Sequence, residues 1–235
     1  MVRAKGYKSY PPIDRYIRLK MISVLMPIYN GIEFITDSVI SVSEQTYTKW
    51  ELIIAVNGHP PNSEVFNLAK QYEIVGDNVR VLDLYNCKGK ANTLNEMLKY
   101  CKYDWVSLLD VDDMWLPEKL EKQIPHMEKY DVIGTQCRYF GDLNTSPNIP
   151  LGDITGFDFR QVNPIINSSC LVRKNLCYWE ENGVEDYDMW LRLWTQKKRF
   201  FNVEEILVKH RIHQSSAFNA KGNQHKVSDI LQKYN

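Results

Sequence analysis

The sequence DWVSLLDVDDMWLP, from Asp104 to Pro117, contains the pattern from which the fold can be predicted. It begins with an almost continuous apolar run, which is typical of a strand buried on both faces of a sheet. Three carboxylates, Asp110, Asp112 and Asp113, follow directly, and Pro117 stands where a helix would begin. The stretch therefore predicts a buried strand, an acidic loop at its carboxyl end and a helix after that loop.

The same alternation of buried strand and helix precedes this stretch three times. Predicted strands cover residues 22–28, 50–56 and 79–84, and amphipathic helical patterns lie between them. Repeated units of this kind favour an α/β fold with a mostly parallel central sheet and helices on both faces. In such sheets ligands bind beyond the carboxyl ends of the strands. We therefore expect Asn30, Asn57 and the acidic loop to converge on one crevice.

The second half of the chain is less regular. Strands are predicted over residues 131–141, 166–174 and 200–213, with an amphipathic helix over residues 185–196. A loop rich in Pro, Asn, Gly and Thr follows the first of these strands. No internal repeat or low-complexity linker divides the chain, so the sequence favours one domain rather than two independent ones.

Composition excludes several classes of protein. The 235 residues are 44% hydrophobic and 25% charged, as in ordinary globular proteins, and Lys plus Arg equals Asp plus Glu at 29 each. No overall positive field therefore attracts nucleic acid, and we expect no nucleic-acid partner. The five scattered cysteines lack CxxC spacing, which favours a reducing compartment. With no signal peptide and no apolar run of about 20 residues, we expect a cytoplasmic protein without a transmembrane segment.

The acidic loop itself indicates a cation. Residues two apart on a strand point to the same side, so Asp110 and Asp112 would present their oxygens to the crevice together. Two carboxylates with no His or Cys beside them in the sequence suit a hard cation such as Mg²⁺ or Mn²⁺, which completes its coordination with water and substrate phosphates. Asp113 is expected to point away and to matter less for the metal. The alternative is an acidic loop that only favours the dipole of the following helix.

Five motifs, taken together, resemble one known family. SVLMPIYNG, WELIIAVNG, KGKANTLNEML, LLDVDDMWLPEKLEKQ and EDYDMWLRL match the family 2 glycosyltransferases in order and spacing, over residues 22–216. The resemblance implies the GT-A fold and a metal-dependent, inverting glycosyltransferase of the hexosyltransferase type. It implies a tail over residues 1–20, a domain over 21–216 and a C-terminal tail or helix over 217–235. The nucleotide-binding half would cover about 21–130 and the acceptor-binding half about 131–216.

The resemblance also assigns donor-binding residues. Pro27, Tyr29 and Asn30 would lie beside the base and ribose of the nucleotide sugar. Lys90 falls where the family often has a basic or polar residue near the nucleotide, and Asp110 would contact the ribose. From the residue alone, Lys90 is equally compatible with a solvated surface lysine.

Metal-binding and catalytic roles follow from the same resemblance. Asp112 would hold Mn²⁺ or Mg²⁺ on the diphosphate, and Asp186, beside Glu185, matches the catalytic base. Arg211 and His213 lie where family members carry residues that approach the diphosphate or the metal. An ordinary strand histidine is the alternative interpretation of His213.

One position departs from the family pattern. Members commonly read DDGS after the second strand, with an aspartate that contacts the uracil of a UDP-sugar, whereas this chain has Val56 and Asn57 there. An asparagine side chain both donates and accepts hydrogen bonds, so Asn57 could pair with uracil or with another base. A UDP-sugar remains the favoured donor, with a glycan, protein or lipid-linked acceptor.

Two other functions remain open from the sequence. Asp110 and Asp112 superficially resemble the pair that opens a class of phosphatases, in which the first carboxylate is the nucleophile. A catalytically inactive module that only binds nucleotide sugars is the second alternative. The sequence does not identify the donor sugar, the acceptor, the linkage, the pathway or the oligomeric state.

Overall fold

The computed structural model describes residues 20–213 and 223–234. Most of the predicted N-terminal tail and the last residues of the predicted domain, from 214 to 216, lie outside these ranges. Of the predicted C-terminal segment, the structure describes one helix, Asn223–Lys233.

Strands and helices alternate through the first half, as the sequence predicts. In chain order they are β1 (Ile22–Ile28), α1 (Ile35–Ser43), β2 (Trp50–Asn57), α2 (Glu64–Lys70), β3 (Val79–Leu84), α3 (Lys90–Met97), β4 (Trp105–Leu108), β5 (Met114–Trp115) and α4 (Lys119–Gln123). Short 3-10 helices extend α1 at its start and α2, α3 and α4 at their ends. The predicted helices and strands of this half are therefore all present.

The second half contains short strands around one long one. It consists of β6 (Val132–Gly141), β7 (Gly152–Asp153), β8 (Leu171–Arg173), α5 (Glu185–Thr195), β9 (Phe200–Ile212) and α6 (Asn223–Lys233). The predicted strand over residues 166–174 is only partly a strand, because the 3-10 helix Asn167–Ser169 occupies its start.

A single mixed sheet joins both halves in the order β3-β2-β1-β4-β8-β6-β9-β5, with β7 paired to β9. The long pairings, β1 with β2 and β4, β2 with β3, and β6 with β9, are parallel. Strand β8 runs antiparallel between β4 and β6, and β5 and β7 are antiparallel to β9. The carboxyl ends of β1, β2 and β4 therefore open on the same edge of the sheet.

Hydrophobic cores on both faces explain why the central strands are mostly apolar. Alternate residues of β1 point to opposite sides, so that Val24 and Met26 belong to one core and Leu25 to the other. The first core packs α1, α2 and α4 against the sheet, and the second packs α3, α5 and α6. This three-layer packing holds the edge that carries the acidic loop.

Helix α6 is tied to α5 by a buried acid. Asp188 of α5 is almost fully buried, and its carboxylate lies 3.1 Å from Lys233 Nζ of α6. Arg192, at helical spacing from Asp188, instead donates to the backbone oxygens of Leu176 and Tyr178.

No helix in the described ranges combines the length and the apolar character that a membrane crossing requires.

Candidate active site

A crevice of about 950 Å³ lies at the carboxyl ends of β1, β2 and β4. Eight of the ten side chains predicted for the site line it, namely Pro27, Tyr29, Asn30, Asn57, Lys90, Asp110, Asp112 and His213. The other two predicted residues, Asp186 and Arg211, are not among the described residues that line the crevice. The convergence expected from the parallel sheet is therefore present.

The acidic loop is a tight turn rather than a continuation of the strand. Strand β4 ends at Leu108, and the backbone N–H of Asp113 donates to the carbonyl oxygen of Asp110 at 3.0 Å. The expectation that strand alternation orients Asp110 and Asp112 is wrong in detail, because the turn presents both of them to the crevice. Asp113 points the other way and is fully buried.

Asp110 sits between a lysine and an asparagine. Lys90 Nζ, at the start of α3, lies 2.6 Å from Asp110 Oδ1, and Asn167 Nδ2 lies 3.0 Å from Asp110 Oδ2. Burial raises the pKa of Asp110, but Lys90 and Asn167 lower it more, so the net pKa lies below its usual value. Lys90 is therefore an ion-pair partner in the crevice and not a solvated surface lysine.

The carboxylates at the start of α5 also raise the pKa of Lys90. Burial lowers its pKa, but Asp110, Glu185 and Asp186 raise it further, so the net pKa lies well above the ordinary value for a lysine. The ammonium group thus stays charged and couples the acidic turn to the start of α5. Gly89, the residue before α3, has φ +86°, a backbone conformation that residues with a side chain rarely adopt.

Asp112 and His213 provide a pair of groups that fits a divalent cation. His213 Nε2 lies 3.0 Å from Asp112 Oδ2, and both residues line the crevice. Burial and the neighbouring Asp113 and Asp110 raise the pKa of Asp112, an effect that a bound cation would offset. The described residues contain no cluster of three or more His, Cys, Asp or Glu that could hold a metal. Two protein ligands still suit Mn²⁺ or Mg²⁺, which take further oxygens from water and phosphate.

Asp113 anchors the turn to the end of β9. Its Oδ2 lies 2.8 Å from His210 Nδ1, and its Oδ1 accepts the backbone N–H of Arg211 at 2.8 Å. Burial lowers the pKa of His210, but Asp113 raises it more, to about 9, so the imidazole is cationic at neutral pH. Asp113 therefore completes a buried ion pair and does not merely favour a helix dipole.

Arg211 supports the turn from outside the crevice. Its Nε donates to the backbone oxygen of Asp112 at 2.9 Å, and its guanidinium lies 4.4 Å from the ring centroids of both Phe34 and Phe140. One of its terminal nitrogens lies 3.1 Å from Asp37 Oδ2. The structure thus places Arg211 against the backbone that carries Asp112.

Replacing Asp113 by asparagine is expected to destabilise the fold. The substitution leaves the His210 cation beside a neutral amide, and breaking a buried ion pair costs about 3 kcal/mol. The melting temperature of a domain of this size should then fall by about 6 to 12 °C. Urea denaturation measures the loss, with Asp112→Asn as the matched control. A free energy of unfolding within about 0.5 kcal/mol of the parent would contradict a structural role for Asp113.

The rings of Tyr29 and His59 lie close together in the lining of the crevice. Tyr29, which is 57% exposed, lies with its ring centroid 5.3 Å from that of His59, and a nitrogen of His59 donates to the Tyr29 backbone oxygen at 2.6 Å. Gly58, which directly follows β2, has φ +72°, and a Cβ there would lie 3.1 Å from the Tyr29 ring. Asn57, at the end of β2, is almost fully buried below them.

Asp186 lies in the first turn of α5. Its Oδ2 accepts a hydrogen bond from Asn163 Nδ2 at 3.2 Å. Burial and the neighbouring Glu185 raise the pKa of Asp186 to about 6, although Lys90 and Asn163 oppose this shift. A carboxylate with this pKa can accept a proton near neutral pH.

Several residues at the site escaped the sequence analysis. His59 and His210 line the crevice, and Asn163 and Asn167 contact two of the predicted carboxylates. The paired asparagines stand in the turn-forming sequence NPIIN, and His210 stands beside Arg211 in HRIH. Both motifs can be seen in the sequence, but they do not indicate which residues these side chains contact. Their partners are distant in the chain.

Comparison with solved structures shows the same architecture. The S. aureus protein TarS, solved with UDP-GlcNAc, superposes with a TM-score of 0.72 at 16% identity, over 91% of this chain and 65% of that one. The mannosyltransferase PcManGT from Pyrobaculum calidifontis, solved with GDP-Man and Mn²⁺, gives a TM-score of 0.66 at 12% identity, over 91% and 62%. The chain spans somewhat less than two thirds of either structure. The predicted α/β fold of the GT-A type is confirmed.

Sequence comparison shows the family. The profile described as Glycosyl transferase family 2 matches residues 23–175. The O-antigen biosynthesis glycosyltransferase WbnJ of Escherichia coli is 30% identical over 213 residues, which cover 84% of this chain and 82% of WbnJ. These matches confirm the resemblance and the expected class of enzyme: the chain belongs to glycosyl transferase family 2.

Proposed function

We propose that this protein transfers a hexose from a UDP-linked sugar to an acceptor hydroxyl, with a divalent cation and with inversion at the anomeric carbon. The observation that carries this proposal is the convergence of Asp110, Asp112, His213 and Lys90 on one crevice, with Asp186 electrostatically coupled to Lys90. Nucleotide recognition, phosphate neutralisation and proton removal all need groups of these kinds.

The donor would bind along the crevice from Tyr29 to His213. Tyr29 and His59 would flank the base, Asn57, Pro27 and Asn30 would lie beside it, and Asp110 would accept from the ribose. UDP-GlcNAc in TarS supports a uridine nucleotide, whereas GDP-Man in PcManGT is the competing precedent.

Asp112 and His213 would hold Mn²⁺ or Mg²⁺ at the diphosphate. Their 3.0 Å approach and the raised pKa of Asp112 support this assignment, as does Mn²⁺ in PcManGT. When bound, the cation would stabilise the charge that develops on the leaving diphosphate. Arg211 would fix the backbone of Asp112, and Lys90 would add a second positive charge near the nucleotide.

Asp186 would act as the general base. It would take the proton from the acceptor hydroxyl as that oxygen attacks the anomeric carbon on the face opposite the diphosphate. With one displacement and no enzyme nucleophile, an α-linked donor would yield a β-glycoside. The name of WbnJ supports a glycan or lipid-linked acceptor of the kind assembled in O-antigen biosynthesis.

The geometry of the crevice also bears on the two alternative functions. Family membership places the chain among transferases, and the Asp110 carboxylate is engaged by Lys90 and Asn167, which removes the case for a phosphatase nucleophile. A nucleotide-sugar binding module without activity would bind donor and Mn²⁺ but release no UDP. Turnover of nucleotide sugars in the presence of an acceptor separates the two.

UDP is expected to stabilise the protein against heat more than GDP in the presence of Mn²⁺. A ligand that binds the folded state at a hundred times its dissociation constant adds about 2.7 kcal/mol, and Asn57 offers both a donor and an acceptor to the uracil edge. The melting temperature, measured with matched concentrations of the two nucleotides, ranks them directly.

The variant Asn57→Asp is the matched control for this ranking. It restores the acid that family members carry at this position, so preference for UDP should persist. A larger shift with GDP than with UDP in the parent protein would mean that Asn57 changes the donor base.

A further inference from the structure

One loop contacts two carboxylates that have different proposed roles. The loop joins β7 to β8, and Asn163 Nδ2 lies 3.2 Å from Asp186 Oδ2 while Asn167 Nδ2 lies 3.0 Å from Asp110 Oδ2. The two asparagines are four residues apart, whereas the acids come from distant parts of the chain. The loop thus links the nucleotide side of the crevice to the first turn of α5.

The orientation of the Asn163 side chain is fixed by its surroundings. Its Oδ1 accepts the backbone N–H of Ile165 at 3.4 Å, so its amide nitrogen is the group that faces Asp186. The next residue, Pro164, accepts from Asn202 Nδ2 at 2.8 Å, and the Ile165 side chain is fully buried. Movement of Asn163 away from Asp186 would therefore require unpacking of the loop.

The hydrogen bond from Asn163 to Asp186 suits a carboxylate that acts as a base. A neutral amide that donates to a carboxylate favours the ionised form without competing for the proton. Burial and Glu185 raise the pKa of Asp186 to about 6, while Lys90 and Asn163 act in the opposite sense. Because Asn163 donates to Oδ2, the acceptor hydroxyl would approach Oδ1.

We propose that Asn163 is a positioning residue, which holds the Asp186 carboxylate ionised and oriented so that it can take the proton of the acceptor hydroxyl. The inference rests on the proposed function, in which Asp186 is the base. Asn167 of the same loop contacts Asp110 and not Asp186, so it provides the comparison for this role.

The test is the pH dependence of kcat in Asn163→Ala. Activity needs the ionised carboxylate, so it is lost as the pH falls through the pKa of Asp186. Removal of the amide donor raises that pKa, and the acidic limb of the profile should move up by about one pH unit with little change in donor KM. A merely structural role would lower kcat equally at every pH.

Two further variants sharpen the test. Asn167→Ala removes the same amide from the same loop but contacts Asp110, so donor KM should rise while the acidic limb stays in place. Asn163→Asp is nearly isosteric and sets a like charge beside Asp186, so it should move the limb further than Asn163→Ala. It keeps the measurement available if the alanine variant does not fold.

The outcomes separate this inference from the proposed function. If Asp186→Asn is inactive and the limb of folded Asn163→Ala lies where the parent's does, the role of Asn163 is overturned and the base remains. If Asp186→Asn turns over normally, the proposed function fails instead. A ¹³C NMR titration of the Asp186 carboxyl in both proteins reads the shift without turnover, and an unchanged pKa there also overturns the role of Asn163.

Discussion

Turnover of Asp186→Asn is expected to fall by at least a factor of about 100, because general base catalysis contributes roughly 10² to 10⁴ to the rate. The substitution keeps the shape of the side chain but removes its ability to accept a proton. Asp186 is half-buried at the start of α5 and has its pKa raised to about 6, which suits proton removal near neutral pH. Steady-state release of UDP measures the loss, and calorimetric titration with the donor should show binding close to that of the parent.

Glu185→Gln is the matched control for the base. Glu185 precedes Asp186 in the same helical turn, where acids favour the helix dipole. This variant should lose less than about tenfold in turnover, and its acidic limb should shift downward because Glu185 raises the pKa of Asp186. Near-normal turnover of Asp186→Asn, or a product that retains the anomeric configuration, would refute the base and the inverting displacement.

Asp112→Asn is expected to abolish the dependence of donor binding on Mn²⁺. The carboxylate of Asp112 lies 3.0 Å from His213, and its loss removes the only charged protein oxygen from the ligand pair proposed for the cation. The asparagine amide is a weaker, neutral ligand than the carboxylate it replaces. The cation would therefore no longer be held, and the diphosphate would have to bind without it. Titration of UDP with and without Mn²⁺ measures the effect as a collapse of the affinity difference between the two conditions.

The neighbouring Asp113→Asn provides the comparison. Asp113 points into the protein toward His210, so its replacement should lower stability while Mn²⁺-dependent binding survives in the folded fraction. Equal loss of Mn²⁺-dependent binding in both variants, measured well below their melting temperatures, would show that Asp112 is not the specific metal ligand.

The first half of the fold could be predicted because its central strands are buried on both faces. Strands β1, β2 and β4 are mostly apolar, as burial on two sides requires, whereas β3 at the edge of the sheet also carries Arg80 and Asp83. The second half could not be predicted so well, since β7 and β8 have only two and three residues. Within the predicted strand 166–174, Ser168 and Ser169 form a 3-10 turn, and Ser168 Oγ accepts the backbone N–H of Asp110.

The site shows the same division between local and distant information. Asp110, Asp112, Asn30 and Asn57 could be placed because the ends of parallel strands meet at one edge. The partners of these groups could not, because nothing local in the sequence indicates that Asn167 contacts Asp110 or that His210 contacts Asp113. Sequence pattern therefore identified the carboxylates, while the side chains that orient and ionise them required the three-dimensional structure.

Strand β9 has a consequence for how the enzyme matures as it is synthesised. The buried Asp113 is paired only when His210 and the backbone of Arg211 arrive, and its partner Arg211 is 98 residues further along the chain. A nascent chain that has emerged only through β5 would hold an unpaired acid beside its unfinished crevice. Parallel pairing of β6 with β9 adds contacts of long sequence separation, which form late in folding. Both halves are therefore expected to fold as one cooperative unit, and the donor site to become competent only after β9 has docked.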